Sequence, residues 1–229
     1  MASHIPTPTP HTLNILCFGD SLTEGYSEYG TKMTPYGTAT LAYFTSRLGP
    51  LTKVHLCVEG KSGDLVTAGF SRRMERICRS SSSAGGHGSL HEKATQWDWL
   101  VFLGGTNDLG YGRSVEAIWE TIFSVTSIPM ARGAKVLLLT VPECSAKNSQ
   151  LDRRRRELNE KIRGDDREGV YILDLYKKMP YHSLGEEERE KIWDNGLHFT
   201  EAGYAKIGEI VGRRLLGIIA GGEGRVDID

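Results

Sequence analysis

Two residues near opposite ends of the chain have side chains that could work as a pair. Ser21 stands in Gly19-Asp20-Ser21-Leu22-Thr23-Glu24-Gly25, directly after the mostly apolar run Leu13-Asn14-Ile15-Leu16-Cys17-Phe18. A serine on a tight turn between a strand and a helix exposes its Oγ and carries an unpaired backbone N–H, and attack on an acyl carbon needs both. The same placement also suits a serine that merely caps a helix. His198, in Trp193-Asp194-Asn195-Gly196-Leu197-His198-Phe199-Thr200, comes just ahead of the last helical stretch. Histidine is the side chain best poised to accept a hydroxyl proton near neutral pH, so its presence supports a chemical role for Ser21 over a mere cap.

Residues so far apart meet only if the fold gathers them. Five short apolar runs read as buried strands: Leu13–Phe18, Lys53–Val58, Trp97–Leu103, Lys135–Val141 and Val170–Leu175. Between and after them lie stretches with helical spacing, at Tyr36–Leu48, Ser71–Arg79, Val115–Arg132, Ser149–Arg163 and Thr200–Ile219. Parallel neighbours need long right-handed crossovers, so this alternation predicts an open parallel sheet with helices on both faces. Ligands gather at the carboxyl ends of such strands.

Composition narrows the partners. With 229 residues, 39% hydrophobic and 25% charged, the chain reads as one soluble domain with a sizeable core. Its 28 basic and 29 acidic residues leave no overall field to draw in nucleic acid or an anionic membrane. No run approaches the roughly 20 apolar residues of a membrane span, and the Pro/Thr-rich opening lacks the apolar core of a secretory signal. The expectation is a cytoplasmic protein, with a secreted mature form as the alternative; oligomeric state is left open. Cys17, Cys57, Cys78 and Cys144 are widely spaced with no CxxC pair, and are expected as reduced, mostly buried thiols. Residues 1–12 read as a flexible arm, 13–220 as the domain, 221–229 as a flexible tail, and Ser80–Gly88 as a flexible loop.

With both ends in view, the chain resembles the SGNH hydrolase superfamily of GDSL esterases and lipases along essentially its whole length. Gly19-Asp20-Ser21-Leu22 matches the nucleophile block. Ser62-Gly63-Asp64 resembles the block whose glycine gives a backbone N–H to the oxyanion hole, and Gly104-Gly105-Thr106-Asn107-Asp108 the block whose asparagine side chain gives another. The His198 region, followed by Gly203-Tyr204, completes the set. Each block alone is weak; four in order are specific. The resemblance implies a flavodoxin-like three-layer α/β/α sandwich with a five-stranded parallel sheet. It also implies Ser21 as nucleophile, His198 as base, an oxyanion hole of Ser21 N–H, Gly63 N–H and the Asn107 amide, and no cofactor or metal. The implied activity is hydrolysis of a small or soluble carboxylic ester. The rivals are an acyltransferase with the same acyl-serine chemistry, or a catalytically weakened binding protein.

One departure motivates the last rival. The family's histidine follows an aspartate by three residues, and here that position holds Asn195, with Asp194 beside it. In an extended segment adjacent side chains point in opposite directions. Three arrangements follow: Asn195 accepts the His198 Nδ1–H through its amide oxygen; a one-residue shift brings Asp194 to the ring; or a backbone carbonyl serves and the site is a dyad.

Other candidates fare less well. Gly60-Lys61-Ser62 lacks the glycine that a phosphate loop needs five residues earlier, and Leu22 stands where an aspartyl phosphatase needs a second Asp. His87 and His91 sit among Ser and Gly, where a solvated loop is the simpler reading than a metal site. Arg153–Arg156, beside Asp152, Glu157 and Glu160, reads as a solvated helix face. Arg72, Arg73, Arg76 and Arg79 form a possible anionic-substrate patch. Tyr26, Tyr29, Tyr36 and Tyr111, near the first and third strand ends, are candidates to line the substrate pocket.

Overall fold

The computed structural model describes residues 11–49, 51–79, 96–222 and 224–225. Most of the expected arm, the Ser80–Gly88 loop, His87 and His91, and most of the tail lie outside the described residues. Strand β1 (His11–Gly19) leads into helix α1 (Ser21–Glu24), a small hairpin of β2 (Tyr26–Ser27) and β3 (Lys32–Met33), and helix α2 (Tyr36–Thr45). Then come β4 (Thr52–Gly60), a π-helical turn (Val66–Phe70), α3 (Ser71–Arg79), β5 (Trp99–Leu103), α4 (Thr106–Gly110) and α5 (Val115–Met130). The chain continues through β6 (Lys135–Leu139), α6 (Ser149–Arg163), β7 (Val170–Leu173), α7 (Leu175–Lys178), α8 (Glu186–Ile192) and α9 (Glu201–Ile219).

Five strands form one parallel sheet in the order β4-β1-β5-β6-β7. This is the doubly wound α/β order implied above. The chain moves from β1 to one side, then returns past it to the other, so the crevice opens at the carboxyl ends of β1 and its neighbours. Residues on β1 alternate strictly between two cores. Ile15 and Cys17 join Val101, Leu137 and the buried faces of α2 and α9, whereas Leu16 and Phe18 join Leu100, Phe102 and the faces of α3, α5 and α6. Burial on both faces is why the inner strands read as mostly apolar runs.

Close approach between helix and helix depends on small residues. On α9, a Cβ at Gly208 would come within 2.4 Å of the Tyr36 carbonyl oxygen. Thr40 Oγ, on α2, donates to the Gly208 carbonyl at 3.1 Å across the same contact. At the sheet's far edge, the outward N–H of Ile172 donates to the Arg225 carbonyl at 2.9 Å. Arg214 donates to the carbonyls of Ile172, Gly224 and Arg225, so this part of the expected tail is docked against β7. The expected arm likewise ends sooner than read, since β1 begins at His11, paired with Thr52.

Two arginine readings are corrected. Arg73 does not belong to a surface patch: it is 7% exposed, lies over the rings of Phe18 and Phe70, and donates to the carbonyls of Gly19 and Glu59 and to Asp64 at 2.7 Å. Arg155 is not on a solvated face either. It is buried, pairs with Asp152 at 2.9 Å and donates to Cys144 Sγ. Burial is possible because each guanidinium finds acceptors inside. The four cysteines are unbridged.

Removing one partner of a buried ion pair strands the other charge. Arg73→Met is therefore expected to cost about 3–5 kcal/mol of unfolding free energy, while Met at the exposed Arg72 should change it by less than about 0.5 kcal/mol. Urea denaturation of both variants checks the difference.

Candidate active site

Three neighbouring strands deliver the site. Ser21 follows β1, Gly63 follows β4 and Asn107 follows β5, so the central strand and both its neighbours end at one place. Asp20 turns the chain there. Its Oδ1 accepts the Leu22 N–H at 3.0 Å and its carbonyl accepts the N–H groups of Thr23 and Glu24, which starts α1 with Ser21 as its first residue. The N–H of a first helical residue has no intrahelical acceptor. Gly25 ends α1 in the left-handed region at φ 83°, where a Cβ would stand 2.2 Å from the Thr34 backbone. Asp20 is fully enclosed, and burial, reinforced by the nearby Asp108 and opposed by the Leu22 N–H and Arg73, pushes its carboxyl up to about 7. Its Oδ2 has no hydrogen-bond partner among the described residues.

Ser21 is 6% exposed, and its Oγ lies 3.0 Å from His198 Nε2. The histidine's loop is built by Trp193 and Phe199, whose rings pack at a 36° tilt with centroids 4.1 Å apart and whose backbones form an antiparallel bridge. Within it the Asp194 N–H donates to the His198 carbonyl at 2.9 Å, and the Gly196 carbonyl accepts from Ser145. Burial lowers the His198 pKa below the usual histidine range, while the charge of Asp194 works against that shift.

Asn195, not Asp194, stands against the imidazole. Its Oδ1 accepts the backbone N–H groups of Leu197 at 3.1 Å and His198 at 3.0 Å, which fastens the amide to the turn. His198 Nδ1 then faces both amide atoms, Oδ1 at 3.2 Å and Nδ2 at 3.1 Å. If Nδ1 carries the proton it donates to Oδ1, and Nε2 is free to accept from Ser21. If Nδ2 donates to Nδ1 instead, the proton sits on Nε2 and the base is idle. Asp194 points elsewhere: its Oδ2 accepts the Glu28 N–H at 2.8 Å.

Around the expected oxyanion position, Gly63 has φ 72° and a Cβ there would meet nothing within 4 Å, so its backbone faces open space. Asn107 Nδ2 donates one hydrogen to the Asp64 carbonyl at 3.0 Å, which orients the amide and leaves its second hydrogen for a ligand. Asp108 accepts from the backbone of Val66 and Thr67 and from Thr67 Oγ, tying the turn after β4 to the turn after β5.

The tyrosines separate. Tyr26 lies against the imidazole, ring centroids 4.6 Å apart. Tyr111 is 75% exposed at the end of α4, and Tyr29 is 85% exposed. Tyr36 is a correction: it starts α2 and is fully buried, with burial pushing its phenol pKa well up, so it packs in the core and not on an exposed pocket wall. Sequence reasoning did not single out Glu24. Its Oε2 accepts both the backbone N–H of Ser62, at 2.7 Å, and the Ser62 hydroxyl, bracing the loop that carries Gly63. Its place one helical turn after Ser21 was visible, but its partner was not. Among the described residues no cluster of three His, Cys, Asp or Glu could hold a metal ion, and no helix is long and apolar enough to cross a membrane.

Solved structures with this fold include a lipase/acylhydrolase from Enterococcus faecalis (TM-score 0.66, 20% identity, covering 90% of this chain and 96% of that one). A carbohydrate acetylesterase from Sinorhizobium meliloti aligns with TM-score 0.62 and 16% identity over 90% and 99% of the two chains. A carbohydrate esterase of family 3 from Talaromyces cellulolyticus does so with TM-score 0.62 and 15% identity over 91% and 99%. No curated protein sequence matches. The model of the GDSL-like lipase/acylhydrolase family, however, matches residues 17–206, from the first strand into the last helix, and the chain therefore belongs to that family of carboxylic ester hydrolases.

Proposed function

We propose that the chain hydrolyses small, soluble carboxylic esters through an acyl-Ser21 intermediate. The observation that carries this reading is the 3.0 Å contact between Ser21 Oγ and His198 Nε2, set at the strand ends that also present Gly63 and Asn107. Nε2 takes the hydroxyl proton as Oγ forms a bond to the ester carbonyl carbon, and the carbonyl oxygen becomes an oxyanion. The N–H groups of Ser21 and Gly63 and the spare Asn107 Nδ2 hydrogen meet that charge. The intermediate collapses, the bond to the alcohol oxygen breaks, and the imidazolium returns its proton to the departing alkoxide. Water repeats the sequence on the acyl-serine, releasing the carboxylic acid and restoring Ser21.

Asn195 takes the orienting position in this scheme. An amide fixes the ring without adding a charge, and its nitrogen competes for Nδ1 at 3.1 Å. That competition favours a slow enzyme, because only the Nδ1–H form leaves Nε2 able to accept a proton.

Hydrolysis of p-nitrophenyl acetate tests the reading. Ser21→Ala should reduce the rate to background, and equal rates for the two proteins would sink it. Asn107→Ala is expected to lower kcat about 10²–10³-fold through loss of one oxyanion donor.

Asn195→Asp should raise kcat/KM, since a carboxylate accepts from Nδ1 and cannot donate. The free base is the active form, so activity falls as pH drops through the His198 pKa. Burial sets that limb below the ordinary histidine range in the native chain, and the added negative charge should move it to higher pH in Asn195→Asp. Coincident limbs in the two pH–kcat/KM profiles would show that residue 195 does not face the ring.

A further inference from the structure

The segment between α1 and α2 holds strained backbone. Among the described residues, Glu28 and Tyr29 are the two non-glycine residues with positive φ, at 47° and 54°, and they are consecutive. Left-handed conformations are costly for residues with a Cβ, and they persist where surrounding contacts impose them. Here several contacts do so. The Tyr204 hydroxyl donates to the Tyr26 carbonyl at 2.8 Å, the Thr34 N–H to the Gly25 carbonyl at 2.8 Å, and the Glu28 N–H to Asp194 Oδ2 at 2.8 Å. The last comes from the loop that carries His198, and it enters the strained residue itself.

Tyr26, at the start of the same hairpin, lies against the His198 ring. His198 returns its proton to the leaving oxygen, so the alcohol part of an ester must sit within reach of Nε2 and hence beside Tyr26. Farther along the hairpin, Tyr29 and Met33 expose apolar surface, at 85% and 49%. We propose that Asp194 is a positioning residue that clasps the β2–β3 hairpin to the histidine loop, so that Tyr26 and the hairpin wall the leaving-alcohol side and favour esters of apolar or aromatic alcohols. The wall rests on the reading of Ser21 and His198 given above; the clasp does not.

Asp194→Asn keeps an oxygen that accepts the Glu28 N–H, and Asp194→Ala removes it. Amide hydrogen exchange at Glu28, followed by NMR in the full chain, should quicken about tenfold in Asp194→Ala and stay slow in Asp194→Asn. The ratio of kcat/KM for benzyl acetate to that for methyl acetate should fall about tenfold in Asp194→Ala, and in Asp194→Asn it should keep its native value. Both substitutions remove the charge beside the imidazole and move the acid limb the same way, so the limb does not separate them and the alcohol ratio does. Equal Glu28 protection in native and Asp194→Ala protein overturns the clasp, whether or not the chain hydrolyses esters. Lost protection with an unchanged alcohol ratio overturns the wall. A ratio lowered as much by Asn as by Ala shows that Asp194 acts through its charge and overturns the positioning role. Native rates in Ser21→Ala would remove the esterase reading and the wall together, and the exchange measurement would still decide the clasp.

Discussion

The guanidinium of Arg73 is the contact on which the catalytic edge of the sheet depends. It holds the carbonyl of Gly19 at the end of β1, the carbonyl of Glu59 near the end of β4 and the carboxylate of Asp64 in the following turn. Parallel strands end in unpaired carbonyls that diverge as the sheet twists, and buried ones must find donors. One planar cation with five N–H groups can satisfy several at once. With those ends gathered, Gly60 can pass so close to α1 that a Cβ would stand 2.1 Å from the Glu24 nitrogen. The nucleophile turn and the Gly63 loop are thereby one packed unit.

Stability and chemistry are coupled through that unit. Asp64 is held by Arg73, and its carbonyl in turn orients Asn107, while Glu24 braces Ser62 from the nucleophile helix. The donors expected to meet an oxyanion are thus locked by contacts formed on folding. In the proposed reaction, donors held this way before the substrate arrives need little reorganisation, which is how preorganised dipoles lower a barrier.

Much of this was legible in the sequence. Strands β1, β5, β6 and β7 showed because burial on both faces makes each a short, mostly apolar run, whereas β4, at the sheet's edge, showed through alternation of apolar and polar residues; α3 and α6 fall at Ser71–Arg79 and Ser149–Arg163 as their spacing predicts. Ser21 and His198 were visible because one directly follows a strand and the other comes just ahead of a helix, whereas Gly63 and Asn107 were legible only through the blocks that resemble the family's. The hairpin was not, since strands of two residues carry no periodicity. Tyr36 was misread because it sits beside a loop, and only its complete burial shows that α2 begins by turning its ring inward. Arg73 and Glu24 were charges whose partners lie in other strand turns, a relation that local pattern does not encode. The choice between Asp194 and Asn195 also needed three dimensions, because the turn sends one carboxylate to Glu28 and leaves the amide at the ring.

The docking of Gly224 and Arg225 on β7 bears on how the molecule behaves in company. A sheet's last strand presents outward N–H and carbonyl groups that can recruit a strand from another chain. At Ile172 both are occupied, the N–H by the Arg225 carbonyl and the carbonyl by Arg214. Self-association through this edge would first have to displace that covering. A few residues beyond the last helix, remote from the chemistry, thus cover backbone groups that a bare edge strand would leave open to pairing.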